Sequence, residues 1–163
     1  MPRVVYLDTG PLGLVCHPQP VKDQEPSDFQ FWVKKALVKR IRIIIPAVAD
    51  YELRRELIRN GSTDSITKLD LIESGGYTDF PGIIYLPLSD AAIKRAAEMW
   101  ADARNKGYST AQDKALDGDV LVAAQALDHA ASSSRFTIAT GNLKDIARYV
   151  GSRRAKLWTD IVP

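Results

Sequence analysis

Four carboxylates, Asp8, Glu52, Asp119 and Asp145, stand where the chain leaves a strand-like run or enters the next helix. Asp8 closes the apolar run Val4-Val5-Tyr6-Leu7 and is followed at once by Thr9, Gly10 and Pro11, which must turn the backbone. Burying an unpaired negative charge is costly, so a carboxylate ending a core strand needs a partner or a task. As a structural group it can cap the next element by accepting backbone N–H bonds. As a functional group it stands at the carboxyl end of a strand, where open α/β sheets place their ligands. Glu52 lies about one turn into the helical run after IRIIIP. Helical periodicity does not choose between it, Glu56 and Asp50, and nearness to the helix start favours Glu52. Asp119 follows Asp117-Gly118 at the head of DVLVAAQALDHAA, and Asp145 follows FTIAT by way of Gly141 and Asn142.

Each acid has a structural explanation when taken alone. Asp117 and Asp119 suit a helix start as cap and dipole-stabilising acid, worth ~0.3–1 kcal/mol when exposed. Asn142 with Asp145 imitates a capping pair. Jointly the explanation weakens, because carboxylates converging on one rim repel one another and a cation makes such a cluster tolerable. A divalent ion held by oxygens promotes attack by water and stabilises a phosphoryl transition state.

Strand-like runs alternate with helical patterns throughout, and these must position the acids. The runs VVYL, IRIIIP, IIYLPL and FTIAT read as buried strands, with KLWTDIV as a last edge strand. Between them lie the helical stretches FQFWVKKALVKR, AVADYELRRELIRNG, STDSITKLDLIESGG, SDAAIKRAAEMWADARNKG, DVLVAAQALDHAA and NLKDIARYV, while YSTAQDKALDGD reads as a polar loop. Such alternation predicts a mostly parallel sheet covered by helices on both faces, a three-layer α/β/α sandwich formed by one domain over 1–163. Parallel strands share direction, so their carboxyl ends open on one rim. Met99 and Trp100 are expected in the core, and His17 and His129 at the surface.

The 163 residues are 45% hydrophobic and 26% charged, the make-up of an ordinary globular domain. No apolar run approaches the roughly 20 residues of a membrane span, and no signal-peptide pattern opens the chain, so a cytoplasmic location is expected. One cysteine and two histidines leave no Cys/His zinc site, so any metal needs oxygen ligands, which suit Mg²⁺ or Mn²⁺. Net charge is only +2, but basic residues cluster at Lys34–Arg42, at Arg54, Arg55 and Arg59, and at Arg148–Lys156. Each cluster alone reads as a solvated face; three of them suggest positive rims around something negative.

At these residues the chain resembles the PIN-domain nucleases, including the VapC-like toxin ribonucleases. LDTGPLG, PAVADYELRREL, DGDVLVAAQAL and ATGNLKDIARY look like that family's four acidic motifs, in order, over nearly the whole chain. Asp119 with VLVAAQAL is the most specific match, and Thr140, Asn142 and Asp145 resemble Thr-x-Asn-x-x-Asp. The resemblance implies a PIN-like fold and a metal-dependent endoribonuclease cutting single-stranded RNA, with Mg²⁺ or Mn²⁺ bound by Asp8, Glu52, Asp119 and Asp145. Thr9, Thr140, Asn142, Asp113 and Asp117 would be accessory residues, and Arg54, Arg55 and Arg59 would contact RNA. It further implies a possible antitoxin partner and a homodimer. The chain departs from the pattern at Gly10, where a hydroxyl residue is frequent, at Gly141, where a basic one is, and at Ile146, where an aromatic one is. Two other readings compete: a catalytically weak PIN-like RNA-binding protein, and a haloacid-dehalogenase-type phosphatase. The phosphatase needs a second aspartate two residues after the first, and Gly10 holds that place.

Overall fold

A computed structural model describes residues 3–18, 22–108, 113–130 and 135–163, with side chains from 118 onward in the third of these stretches. Five strands form one sheet: β1 (Val4–Leu7), β2 (Arg42–Pro46), β3 (Ile84–Leu86), β4 (Phe136–Ala139) and β5 (Ala155–Lys156). Their order is β3-β2-β1-β4-β5, and every pairing is parallel. Helices α1 (Thr9–Cys16), α2 (Gln24–Val38), α3 (Ala47–Arg59), α4 (Thr63–Glu73), α5 (Asp90–Asn105), α6 (Asp113–Ala130) and α7 (Leu143–Val150) connect them. This is the α/β/α sandwich that the alternation of runs predicts.

The strands lack a polar face because helices cover both sides of the sheet. Val5, Tyr6, Leu7, Ile43, Ile44, Ile45 and Ile138 are fully buried. Tyr6 satisfies its hydroxyl at the sheet centre through His129 Nδ1, 2.7 Å away. In register, Tyr6 lies opposite both Ile44 and Ile138, and Leu7 opposite Ala139, so the central strands end at nearly one level. The chain leaves β1 toward β2 and leaves β4 toward β5, in opposite directions along the sheet. The crevice between the carboxyl ends of β1 and β4 is therefore the topological switch point, the usual place for a ligand in an open parallel sheet.

The turn expected at Thr9-Gly10-Pro11 is the start of α1, because Asp8 caps it and proline is tolerated in a first turn. Three expectations need correction. The polar run after Tyr108 is helical from Asp113, so Asp119 lies in the second turn of α6 rather than the first. Trp100 is 38% exposed. Ala92, Ala96 and Ala103 take the buried face of α5, and Trp100 lies on its flank beside the half-buried Met99. The last segment adds only the two-residue β5 before a 3-10 turn at Trp158–Asp160. No helix among the described residues is long and apolar enough to cross a membrane.

Candidate active site

Asp8 is buried, and its extended backbone (φ −73°, ψ 172°) turns directly into α1. One carboxylate oxygen accepts the Thr9 N–H at 2.8 Å, and the other accepts the Thr140 hydroxyl at 2.6 Å. Asp8 thus caps α1 and reaches across the switch point to Thr140, the residue after β4. Thr140 Oγ1 accepts in turn the N–H of Asn142 at 2.9 Å. The Asn142 carboxamide donates to Asp119 Oδ2 at 2.7 Å. On the other side, the Thr9 hydroxyl donates to Glu52 Oε2 at 2.7 Å. Thr9, Thr140 and Asn142 therefore tie Asp8, Glu52 and Asp119 into one hydrogen-bonded line, although they come from α1, the β4–α7 turn, α3 and α6.

Asp119 is half-buried at one end of this line. Burial, followed by the charges of Asp8, Asp145 and Glu52, pushes its carboxyl up to about 7, while the Asn142 hydrogen bond pulls it down. Asp145 lies in the first turn of α7, where its charge suits the helix N-terminus. Arg148 follows one turn later and sits 3.0 Å from it. The other three acids are thus all close enough for their charges to act on Asp119. Among the described residues no three of them are drawn tightly enough to ligate an ion as they stand. Each is held by a neighbouring hydroxyl, amide or guanidinium. The oxygen-only donor set fits a hard cation and offers no thiolate or imidazole. Asp113 and Asp117 lie on α6, but their side chains fall outside the described residues.

Gly118, unremarked in the sequence pattern, shapes the site. A Cβ placed there would meet the Glu52 carboxylate, with Cδ at 2.8 Å and Oε1 nearer still. Only a glycine lets α3 lay Glu52 against the backbone of α6. Its sequence signal is its place directly before Asp119. Gly118→Ala is expected to raise helix stability by up to ~0.8–1 kcal/mol. It should nevertheless pull Glu52 off Thr9 and lower the RNA cleavage that the resemblance implies by about 10–100-fold, the usual cost of losing a group that orients metal ligands. Melting and RNA cleavage of the same variant test this; cleavage at the wild-type rate would deny Gly118 that role.

The basic cluster on α3 is largely engaged by acids. Arg54 pairs with Asp50 (2.8 Å), Asp70 (2.7 Å) and Glu73 (3.3 Å), and Arg59 pairs with Glu56 at 2.6 Å. Arg55 lies over the Tyr51 ring, 5.6 Å from its centroid. Burial, then the neighbouring Asp50, pushes the Glu73 carboxyl up to about 7. Because the fold favours protonated Glu73, this group's contribution to stability is greatest below about pH 4.5 and falls as pH rises through 7. Glu73→Gln should remove that part of the decline, on the order of 1 kcal/mol. Urea unfolding at pH 5 and pH 8 measures it, and an equal decline in both proteins would contradict the assignment.

No protein-family model matches this chain, and no curated protein matches it. Solved structures do. VapBC2 from Rickettsia felis, bound to a DNA fragment from its promoter, superposes with a TM-score of 0.64 at 17% identity, covering 95% of this chain and 98% of that one. FitAcB from Neisseria gonorrhoeae gives 0.63 at 19% identity, over 96% and 99% of the two chains. DNA-bound VapBC from Salmonella typhimurium gives 0.56 at 18%, over 97% and 99%. The chain has the PIN-like α/β/α fold of these VapBC and FitAB structures along its whole length.

Proposed function

We propose that the protein is a divalent-cation-dependent endoribonuclease that cuts single-stranded RNA, and that it is the toxin of a toxin–antitoxin pair. The observation that carries this is the meeting of Asp8, Glu52, Asp119 and Asp145, from four separate segments, at the switch point of a parallel sheet. Asp8 and Asp119 are the central ligands, with Glu52 and Asp145 flanking. Bound there, Mg²⁺ or Mn²⁺ supplies a Lewis acid that eases deprotonation of the attacking water and offsets charge on the transferring phosphoryl group. The chain's own residues do the positioning. Thr140 and the Thr9 N–H fix the aim of Asp8, the Thr9 hydroxyl holds Glu52, and Asn142 orients Asp119. Arg148 places a guanidinium at the edge of the acids, where a phosphate oxygen would lie.

The resembling structures are two-component complexes, which supports an antitoxin partner for this chain. A homodimer belongs to the same reading. Ile93 (47% exposed) and Trp100, with Leu121, line an apolar groove along α5 and α6 that we assign to a second copy. We place the protein in the cytoplasm. The test is incubation of a labelled single-stranded RNA with the protein, with Mg²⁺, with Mn²⁺ and with EDTA. Internal cuts in either metal and none in EDTA are expected. Intact RNA under all three conditions, or equal cutting in EDTA, would overturn the proposal.

A further inference from the structure

The switch-point crevice holds a second feature beside the acids. A pocket of about 300 Å³ opens between the start of α1 and the turn after β4, with Gly10, Pro11, Thr140 and Gly141 on its walls. Leu157, Trp158 and Glu25 of α2 also line it. Thr140 is shared: its hydroxyl bonds Asp8 while its residue walls the pocket. Whatever enters is therefore a neighbour of the carboxylates.

The pocket is built rather than incidental in three respects. Trp158 is held in place, its ring meeting Phe29 at 65° with centroids 5.1 Å apart, and Phe29 stacks on Trp32 at 5.5 Å. Trp32 in turn donates its indole N–H to the Ile161 carbonyl at 2.6 Å, tying the C-terminal segment to α2. At the mouth, Gly10 and Gly141 both leave open space: a Cβ at either would find no atom within 4 Å. Finally, among the described residues the lining contains no lysine or arginine, and its one charged residue is the exposed Glu25. A phosphate is repelled there, whereas a flat apolar ring carrying N–H donors matches an indole wall and a carboxylate rim.

We propose that this pocket seats one unstacked nucleobase of the substrate strand, with guanine preferred, and so sets where the strand is cut. The inference rests on the RNA-cleaving function for the identity of the strand. Aromatic side chains hold single-stranded bases by stacking, with little dependence on sequence. The preference comes from Glu25, because guanine presents a ring N–H and an exocyclic amine side by side, matching two carboxylate oxygens. Uracil presents one N–H between two carbonyls, which the carboxylate repels.

The test reads binding by fluorescence anisotropy in EDTA, where no cutting occurs. The probes are short labelled oligouridylates carrying one guanine, one inosine or one abasic site at the same position. Wild type should bind the guanine probe at least about fivefold more tightly than the abasic one, the lower end of what one stacked base contributes. Gly141→Leu fills the mouth from a position with room for a side chain, and should bring the guanine and abasic probes together. Glu25→Gln, on an exposed residue, should abolish discrimination between guanine and inosine. Equal binding of the guanine probe by wild type and Gly141→Leu would overturn the pocket. So would a co-purifying protein lost from Gly141→Leu while its RNA affinities stay unchanged, since the occupant would then be a polypeptide. Guanine-selective binding by a protein that cuts no RNA would refute the nuclease and keep the pocket. Cutting with unchanged variants would do the reverse.

Discussion

Asp119→Asn is expected to slow cleavage of single-stranded RNA by about 10²–10³-fold or more, the scale on which removing one key electrostatic group acts. RNA affinity should stay the same or rise. The substitution keeps the side-chain volume and leaves an oxygen to accept the Asn142 carboxamide, which donates to Asp119 at 2.7 Å. It takes one negative charge from the centre of four. The proposed cation site loses a charged ligand, while a polyanion approaching the crevice meets less repulsion. Single-turnover cleavage and equilibrium binding, measured on the same preparation, separate the two effects. Cleavage at the wild-type rate would deprive Asp119 of its role. Lost binding together with lost cleavage would mean that the variant is misfolded or that Asp119 touches the strand.

The second large effect is on stability, and it has the opposite sign. In the fold the Asp119 carboxyl is raised from its ordinary 3.8 to about 7. The folded state therefore favours the protonated form. No stability is lost below about pH 3.8, and the loss grows as pH climbs through 7. That rise corresponds to at most ~4 kcal/mol, and solvent around a half-buried group reduces it to roughly 1–3 kcal/mol. In EDTA at pH 8, Asp119→Asn should thus melt several degrees above wild type, at ~2–4 °C per kcal/mol for a domain of this size. The gap should close toward pH 4. Asp8→Asn should behave differently, because Asp8 spends both oxygens on Thr9 and Thr140. A carboxamide can accept from only one of them, and the lost charge-assisted bond, ~1.5–3 kcal/mol, offsets any relief of repulsion. Asp8 is a helix cap with both oxygens engaged, whereas the Asp119 carboxylate is held against its own electrostatics.

The contrast also explains what the chain disclosed before its structure. VVYL, IRIIIP and FTIAT reveal the central strands because a parallel sheet buried on both faces demands unbroken apolar runs. The acids stand out because each interrupts such a run or opens the helix beside it. The start of α6 does not stand out: YSTAQDKALDGD has no apolar period, so nothing marks a helix from Asp113. Trp100 misleads for a related reason, since on an alanine-rich helix small residues can take the inner face and leave the large one outside. Gly118 is marked only by its place before Asp119, because its value lies in how closely Glu52, 66 positions earlier, approaches the backbone of α6. The hydroxyl and amide line through Thr9, Thr140 and Asn142 likewise depends on the register of β1 against β4, which no local signal encodes.

The central claim is that the four acids form one site for a divalent cation, and a Mn²⁺ series of thermal melts tests it most directly. Wild type and Asp119→Asn are melted at pH 8, first in EDTA and then at rising Mn²⁺. The variant should start higher and barely move. Wild type should climb with log metal concentration, gaining about 2.7 kcal/mol at a hundredfold excess over its dissociation constant. The two curves should therefore converge and cross. Equal melting in EDTA with parallel shifts in Mn²⁺, or no shift of wild type at any concentration, would contradict a shared cation site.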